Sequence, residues 1–76
     1  MAAKLPVVTA RETVRALQRA GFYVHHQTGS HARLFHRTRS DLRVTVPIHP
    51  GGLPPSLLKR ILKQAALTPE QFLEFL

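Results

Sequence analysis

The order of patterned segments predicts an α+β fold, a two-layer sandwich whose antiparallel three-stranded sheet carries its helices on one face. Three observations lead there. An amphipathic stretch with a capping box opens the chain, three short alternating runs separated by turn residues follow, and two further amphipathic stretches close it. Meandering strands with one apolar face need helices to cover it, so the order is helix, three strands, helix, short helix.

Residues 1 to 8 read as an extended lead-in, since Pro6 disfavours helix at Leu5 and Val7 and Val8 are β-branched. Thr9 followed by Glu12 is a capping box, Val14 and Leu17 form an apolar stripe, and Gly21 supplies a stop after Ala20. The first helix is therefore predicted at about residues 10 to 20. Phe22 to Gln27 alternates as a strand, with Phe22 and Val24 on one face and Tyr23 and His25 on the other; Thr28 to Ser30 turns the chain.

The second strand is predicted over Ala32 to Arg37, with Ala32, Leu34 and His36 on one side and Arg33, Phe35 and Arg37 on the other. After a turn at Thr38 to Asp41, Leu42 to Pro47 reads as a third strand with Leu42, Val44 and Val46 facing in. Ile48 to Pro54 holds two Gly and two Pro and is a stiff loop. Leu57, Leu58, Ile61, Leu62 and Ala65 then repeat at helical spacing opposite Lys59, Arg60 and Lys63. Thr68-Pro69-Glu70-Gln71 caps a last short helix anchored by Phe72, Leu73 and Leu76.

With 76 residues the chain reads as one domain that buries roughly 60% of its unfolded surface. Eleven Lys and Arg against four Asp and Glu leave a net charge of +7, which favours nucleic acid or an acidic protein as partner. A membrane partner is not expected, because no apolar run approaches the roughly 20 residues that span a bilayer. The start lacks the apolar core of a secretory signal, so a cytoplasmic location is expected. Without Cys there is neither a disulfide nor a thiolate zinc site.

His31, in Gly29-Ser30-His31 at the first strand turn, stands out because a turn asks for Gly, Asn, Asp or Ser and not for imidazole. Imidazole takes and returns protons near neutral pH, which makes His31 a candidate acid or base for RNA cleavage. The alternative is an ordinary exposed turn residue. His49 could complement it or simply pack its ring on Pro47 or Pro50, while Arg33, Arg43 and Lys59 are candidates to hold phosphate. Gly29 and Ser30 are small and offer backbone N–H groups, so a phosphate could approach closely.

His25 and His26 are adjacent on a strand and are expected to point to opposite faces, so no metal site is expected and no cofactor is implied. His36 reads as an edge-of-core histidine. Phe35 is expected to slip under a helix, with base stacking as the alternative. Arg11, Arg15 and Arg19 recur every four residues and read equally as a phosphate-tracking ridge or a solvated face.

Read together, the ordered motifs resemble HicA-type mRNA interferase toxins of bacterial toxin-antitoxin pairs. The matching residues are Lys4-Leu5-Pro6, Gly21-Phe22, Gly29-Ser30-His31, Val44-Thr45-Val46-Pro47 with His49, Leu57 to Gln64 and Glu70 to Phe72. The resemblance covers essentially the whole chain and implies one HicA-like domain over residues 1–76, with a fold similar to the double-stranded RNA-binding domain. It further implies ribosome-independent mRNA cleavage with His31 as catalytic histidine, and neutralisation by a HicB-type antitoxin that covers the active face. Any oligomer is then expected to form through the antitoxin. Two departures stand out: Pro55-Ser56-Leu57 replaces the family's frequent Gly-Thr-Leu, a change suited to a first helical turn, and Gly51-Gly52-Leu53-Pro54 is less polar than expected for a phosphate loop. A non-catalytic RNA-binding module of the same fold is the alternative function.

Overall fold

A computed structural model describes residues 4–76, so the part of the predicted lead-in at residues 1–3 lies outside the described residues. The elements run α1 (Ala10–Arg19), β1 (Phe22–Gln27), β2 (His31–His36), β3 (Arg43–Pro47), α2 (Pro55–Gln64) and α3 (Pro69–Phe75). This is the predicted α+β order, and it agrees with the resemblance to the double-stranded RNA-binding domain.

Local chemistry sets the helix ends. Thr9 Oγ1 accepts the Glu12 N–H at 3.1 Å while Glu12 Oε1 accepts the Thr9 N–H at 2.9 Å, so two donors orphaned by helix geometry are satisfied reciprocally. Beyond α1, Gly21 takes φ +104°, and a Cβ there would lie 2.8 Å from His36 Nε2. Thr68 and Gln71 repeat the capping box at α3, with Pro69 in its first turn.

The sheet has order β1-β2-β3 with both pairs antiparallel. Its inner face buries Phe22, Ala32, Leu34, Val44 and Val46 against Leu17, Ile61 and Ala65, and a second cluster centred on Phe72 joins Ala16, Leu58 and Leu62. Each large apolar side chain removed from water contributes about 1.5 to 3 kcal/mol, so the helices are held to one face by burial. The lead-in is tied down as well: Leu53 donates its N–H to the Val8 carbonyl at 2.7 Å and Thr9 bridges to Gly52.

Three expectations need correction. β2 begins at His31 and ends at His36, one residue earlier at each end than predicted, and β3 begins at Arg43. A bulge between Val24 and His26 inserts His25 as an extra residue and brings His26 opposite the outward-facing Arg33, so the two imidazoles do not alternate and both are exposed. Phe35 does not enter the core. It stands half-buried on the outer sheet face, across from Tyr23 and Arg43.

Candidate functional site

The turn from β1 to β2 is built around Thr28, whose hydroxyl oxygen accepts the N–H groups of Ser30 at 3.2 Å and His31 at 3.0 Å. Its own N–H donates to the His31 carbonyl at 2.9 Å. The Ser30 N–H is thus engaged inside the turn, which corrects the expectation that it faces a phosphate. Gly29 has open space where a side chain would be, so a ligand can approach the backbone there.

His31 emerges from this turn as the first residue of β2, exposed and on the outer face. Its Nδ1 lies 3.0 Å from Ser30 Oγ. A hydroxyl both donates and accepts, so Ser30 can hold either neutral tautomer and leave Nε2 as a proton donor or as a bare base. Arg33, two residues along the same face, stands about 7 Å up the strand. Pro47 pairs with His31 across the sheet, and the Ile48 N–H donates to the Ser30 carbonyl at 2.7 Å.

His49 follows this seam. Its Nδ1 donates to the Pro50 carbonyl at 3.0 Å, and the ring is exposed rather than packed. It lines a groove of about 480 Å³ shared with Gly29, Gly51 and Arg11. A second hollow of about 300 Å³ shares Arg11 and Ile48 and continues to Arg15 and Gln27. Arg11 and Arg15 therefore border the path leading to Gly29. Arg19 does not join them, because its Nη1 donates to the Phe75 carbonyl at 2.7 Å and ties α1 to the end of α3.

The fold thus gathers Gly29, Ser30, His31, Arg33 and His49 around one end of the sheet. Arg43 sits farther along the outer face, its guanidinium 5.0 Å from the Phe35 ring centre. Lys59 is exposed on α2, on the helix side of the sheet, and belongs to a different surface. Thr28 was missed by sequence reading, although a Thr two residues before the end of a Gly-Ser turn is a recognisable hydroxyl-to-backbone motif.

The charge around this end is one-sided. The three strands contain no Asp or Glu, Glu12 is spent on its cap and Asp41 pairs with Arg39 at 3.2 Å. Hydrogen bonds from the Thr9 backbone and hydroxyl hold the Glu12 carboxyl below its ordinary range, and the Arg39 guanidinium does the same for Asp41. His36 serves the fold: its Nδ1 accepts the N–H groups of Thr38 and Arg39 at 3.2 and 3.0 Å and its ring meets Phe22 edge-on. Among the described residues no group of three His, Cys, Asp or Glu side chains converges as a metal site, and no helix is long and apolar enough to cross a membrane.

A small cationic α+β sandwich with an exposed, hydroxyl-held imidazole at the corner of an open sheet is the class of protein so defined. The family model described as HicA toxin of bacterial toxin-antitoxin matches residues 10–67, and the chain belongs to that family of toxins. Membership implies an antitoxin partner. Comparison with curated proteins gives no match.

Proposed function

We propose that this toxin is an endoribonuclease, an mRNA interferase that cuts mRNA without a metal ion, with His31 moving the proton and a HicB-type antitoxin neutralising it. The observation that carries the reading is the exposed His31 ring with Nδ1 held by Ser30 at 3.0 Å, on a sheet whose strands contain no Asp or Glu. In this reading His31 Nε2 draws the proton from a ribose 2′-hydroxyl, and the resulting oxygen attacks the adjacent phosphorus. The bond to the 5′-oxygen then breaks, and that oxygen takes up a proton from solvent, which leaves a 2′,3′-cyclic phosphate and a 5′-hydroxyl. Arg33 lies nearest to take up phosphorane charge, and each such acid-base group contributes roughly 10² to 10⁴ in rate.

Gly29, Ser30 and His49 line the approach of the RNA chain, with Arg43 as a more distant phosphate contact on the same face, and Lys59, on the separate α2 surface, as a contact for RNA that continues round the domain. The whole chain, residues 1–76, acts as one HicA-like domain in the cytoplasm, and any oligomer forms through the antitoxin. The positive surface also speeds encounter with an acidic antitoxin.

Purified protein in excess chelator is expected to cut single-stranded RNA and spare DNA of the same sequence. His31→Ala should lower the cleavage rate at least 100-fold while His26→Gln, at an exposed histidine outside the proposed machinery, retains it. Equal cleavage by His31→Ala, or a strict need for added divalent metal, would overturn the mechanism.

A further inference from the structure

The outer sheet face carries a second arrangement that proton transfer at His31 does not use. His25 lies parallel to the Phe35 ring, 4.1 Å between centres and 11° between planes. Arg43 stands over Phe35 at 5.0 Å. Tyr23 meets Phe35 edge-on at 6.3 Å, and Arg37 lies over Tyr23 at 5.7 Å.

The result is a band of rings and guanidinium groups crossing all three strands on the side away from the helices. A sheet face built only to be solvated has no need of such a band. The helices cover the opposite face, the strands bearing the band hold no carboxylate, and the bulge keeps both His25 and His26 on the solvent side. Flat π-faces beside fixed cations suit unpaired bases joined by phosphates, which every single strand offers irrespective of sequence. A duplex offers the phosphates but not the base faces, because pairing locks every base into a continuous stack between its neighbours.

We infer that the Tyr23, His25, Phe35 and Arg43 band is a stacking subsite for unpaired bases of single-stranded RNA, lying along the sheet from His31 and selecting unpaired over duplex substrate. The inference deepens the nuclease reading and rests on it for the identity of the ligand as substrate. Charge favours RNA here over an apolar protein surface, since Arg37 and Arg43 flank the rings and would be left unpaired beneath aliphatic side chains.

Tyr23 is the only tyrosine and the chain has no tryptophan, so intrinsic emission reports on this band alone. The full-length protein is titrated with a single-stranded 2′-O-methyl oligonucleotide, which lacks the attacking hydroxyl and stays intact, while end-label anisotropy follows binding. Saturable quenching of Tyr23 is expected, with at least tenfold weaker binding of the same sequence as a duplex. His25→Ala should raise the dissociation constant about 10-fold, the effect of losing one stacked base. Phe35→Leu, which takes away the ring against which His25 lies flat, should do the same.

Binding without quenching, or unchanged affinity in His25→Ala, would overturn the inference. So would quenching by poly-glutamate and not by the oligonucleotide, the outcome if an acidic protein occupies this face. Cleavage of ordinary RNA, compared between parent and His31→Ala, is scored separately. Quenching without cleavage defeats the nuclease reading alone, and cleavage without quenching defeats only the stacking subsite.

Discussion

Replacing Thr28 by Val removes one oxygen and keeps the side-chain shape, so it isolates what holds His31 in place. That oxygen accepts two backbone N–H groups, from Ser30 and His31, at 3.2 and 3.0 Å. A hydrogen bond contributes about 0.5 to 1.5 kcal/mol net, and in this exposed turn water recovers part of the loss, so destabilisation of about 1 kcal/mol is expected. For a domain of this size that lowers Tm by about 4 to 8 °C.

Cleavage should suffer more than folding does. The freed turn lets Ser30 and His31 separate from their 3.0 Å contact, and a misplacement on the order of 1 Å costs about 10² in rate. Thermal unfolding and RNA cleavage at 25 °C, where the variant stays folded, measure the two effects separately. Thr28→Ser, which retains the acceptor, should recover most of the rate. A folded Thr28→Val protein that cuts as fast as its parent would refute the claim that this hydroxyl positions the imidazole, as would an equal loss in Thr28→Ser.

Gly21→Ala is expected to lower stability by at least about 1 kcal/mol, read from the urea midpoint, because φ is +104° and the new Cβ meets the His36 ring at 2.8 Å. The Glu12 carboxyl is held below its ordinary value by the Thr9 backbone and hydroxyl, so its contribution is fully present above pH 4.5 and is lost as pH falls through the lowered folded value. Unfolding followed between pH 5 and pH 2 should show a steeper loss for the parent than for Glu12→Gln; identical slopes would contradict the assignment.

What local chemistry determines is legible in the sequence. Thr9, Glu12 and Gly21 bound the first helix, the apolar alternation of Phe22, Val24, Val44 and Val46 fixes the inner sheet face, and Thr68 with Gln71 starts the last helix. What depends on how segments meet was not legible. A bulge at His25 leaves no mark on a period-two pattern, since one inserted residue only shifts the register after it.

Phe35 reads as core in the sequence because an aromatic side chain carries no sign of which sheet face the helices cover. At the functional end, the sequence placed His31 beside Ser30 but not their hydrogen bond. Nor did it show that Arg11 and His49, nearly 40 residues apart in the chain, line one groove. Arg15 and Arg19 look equivalent in the helical pattern, yet only tertiary packing engages Arg19 with Phe75.

The chemistry at His31 is tested most directly by the ends it leaves on RNA. Mass spectrometry of fragments made in excess chelator should find a 2′,3′-cyclic phosphate on one side of the cut and a 5′-hydroxyl on the other, with no such fragments from His31→Gln. Fragments ending in 3′-hydroxyl and 5′-phosphate, or unchanged fragments from His31→Gln, would contradict proton transfer from the 2′-hydroxyl to this imidazole.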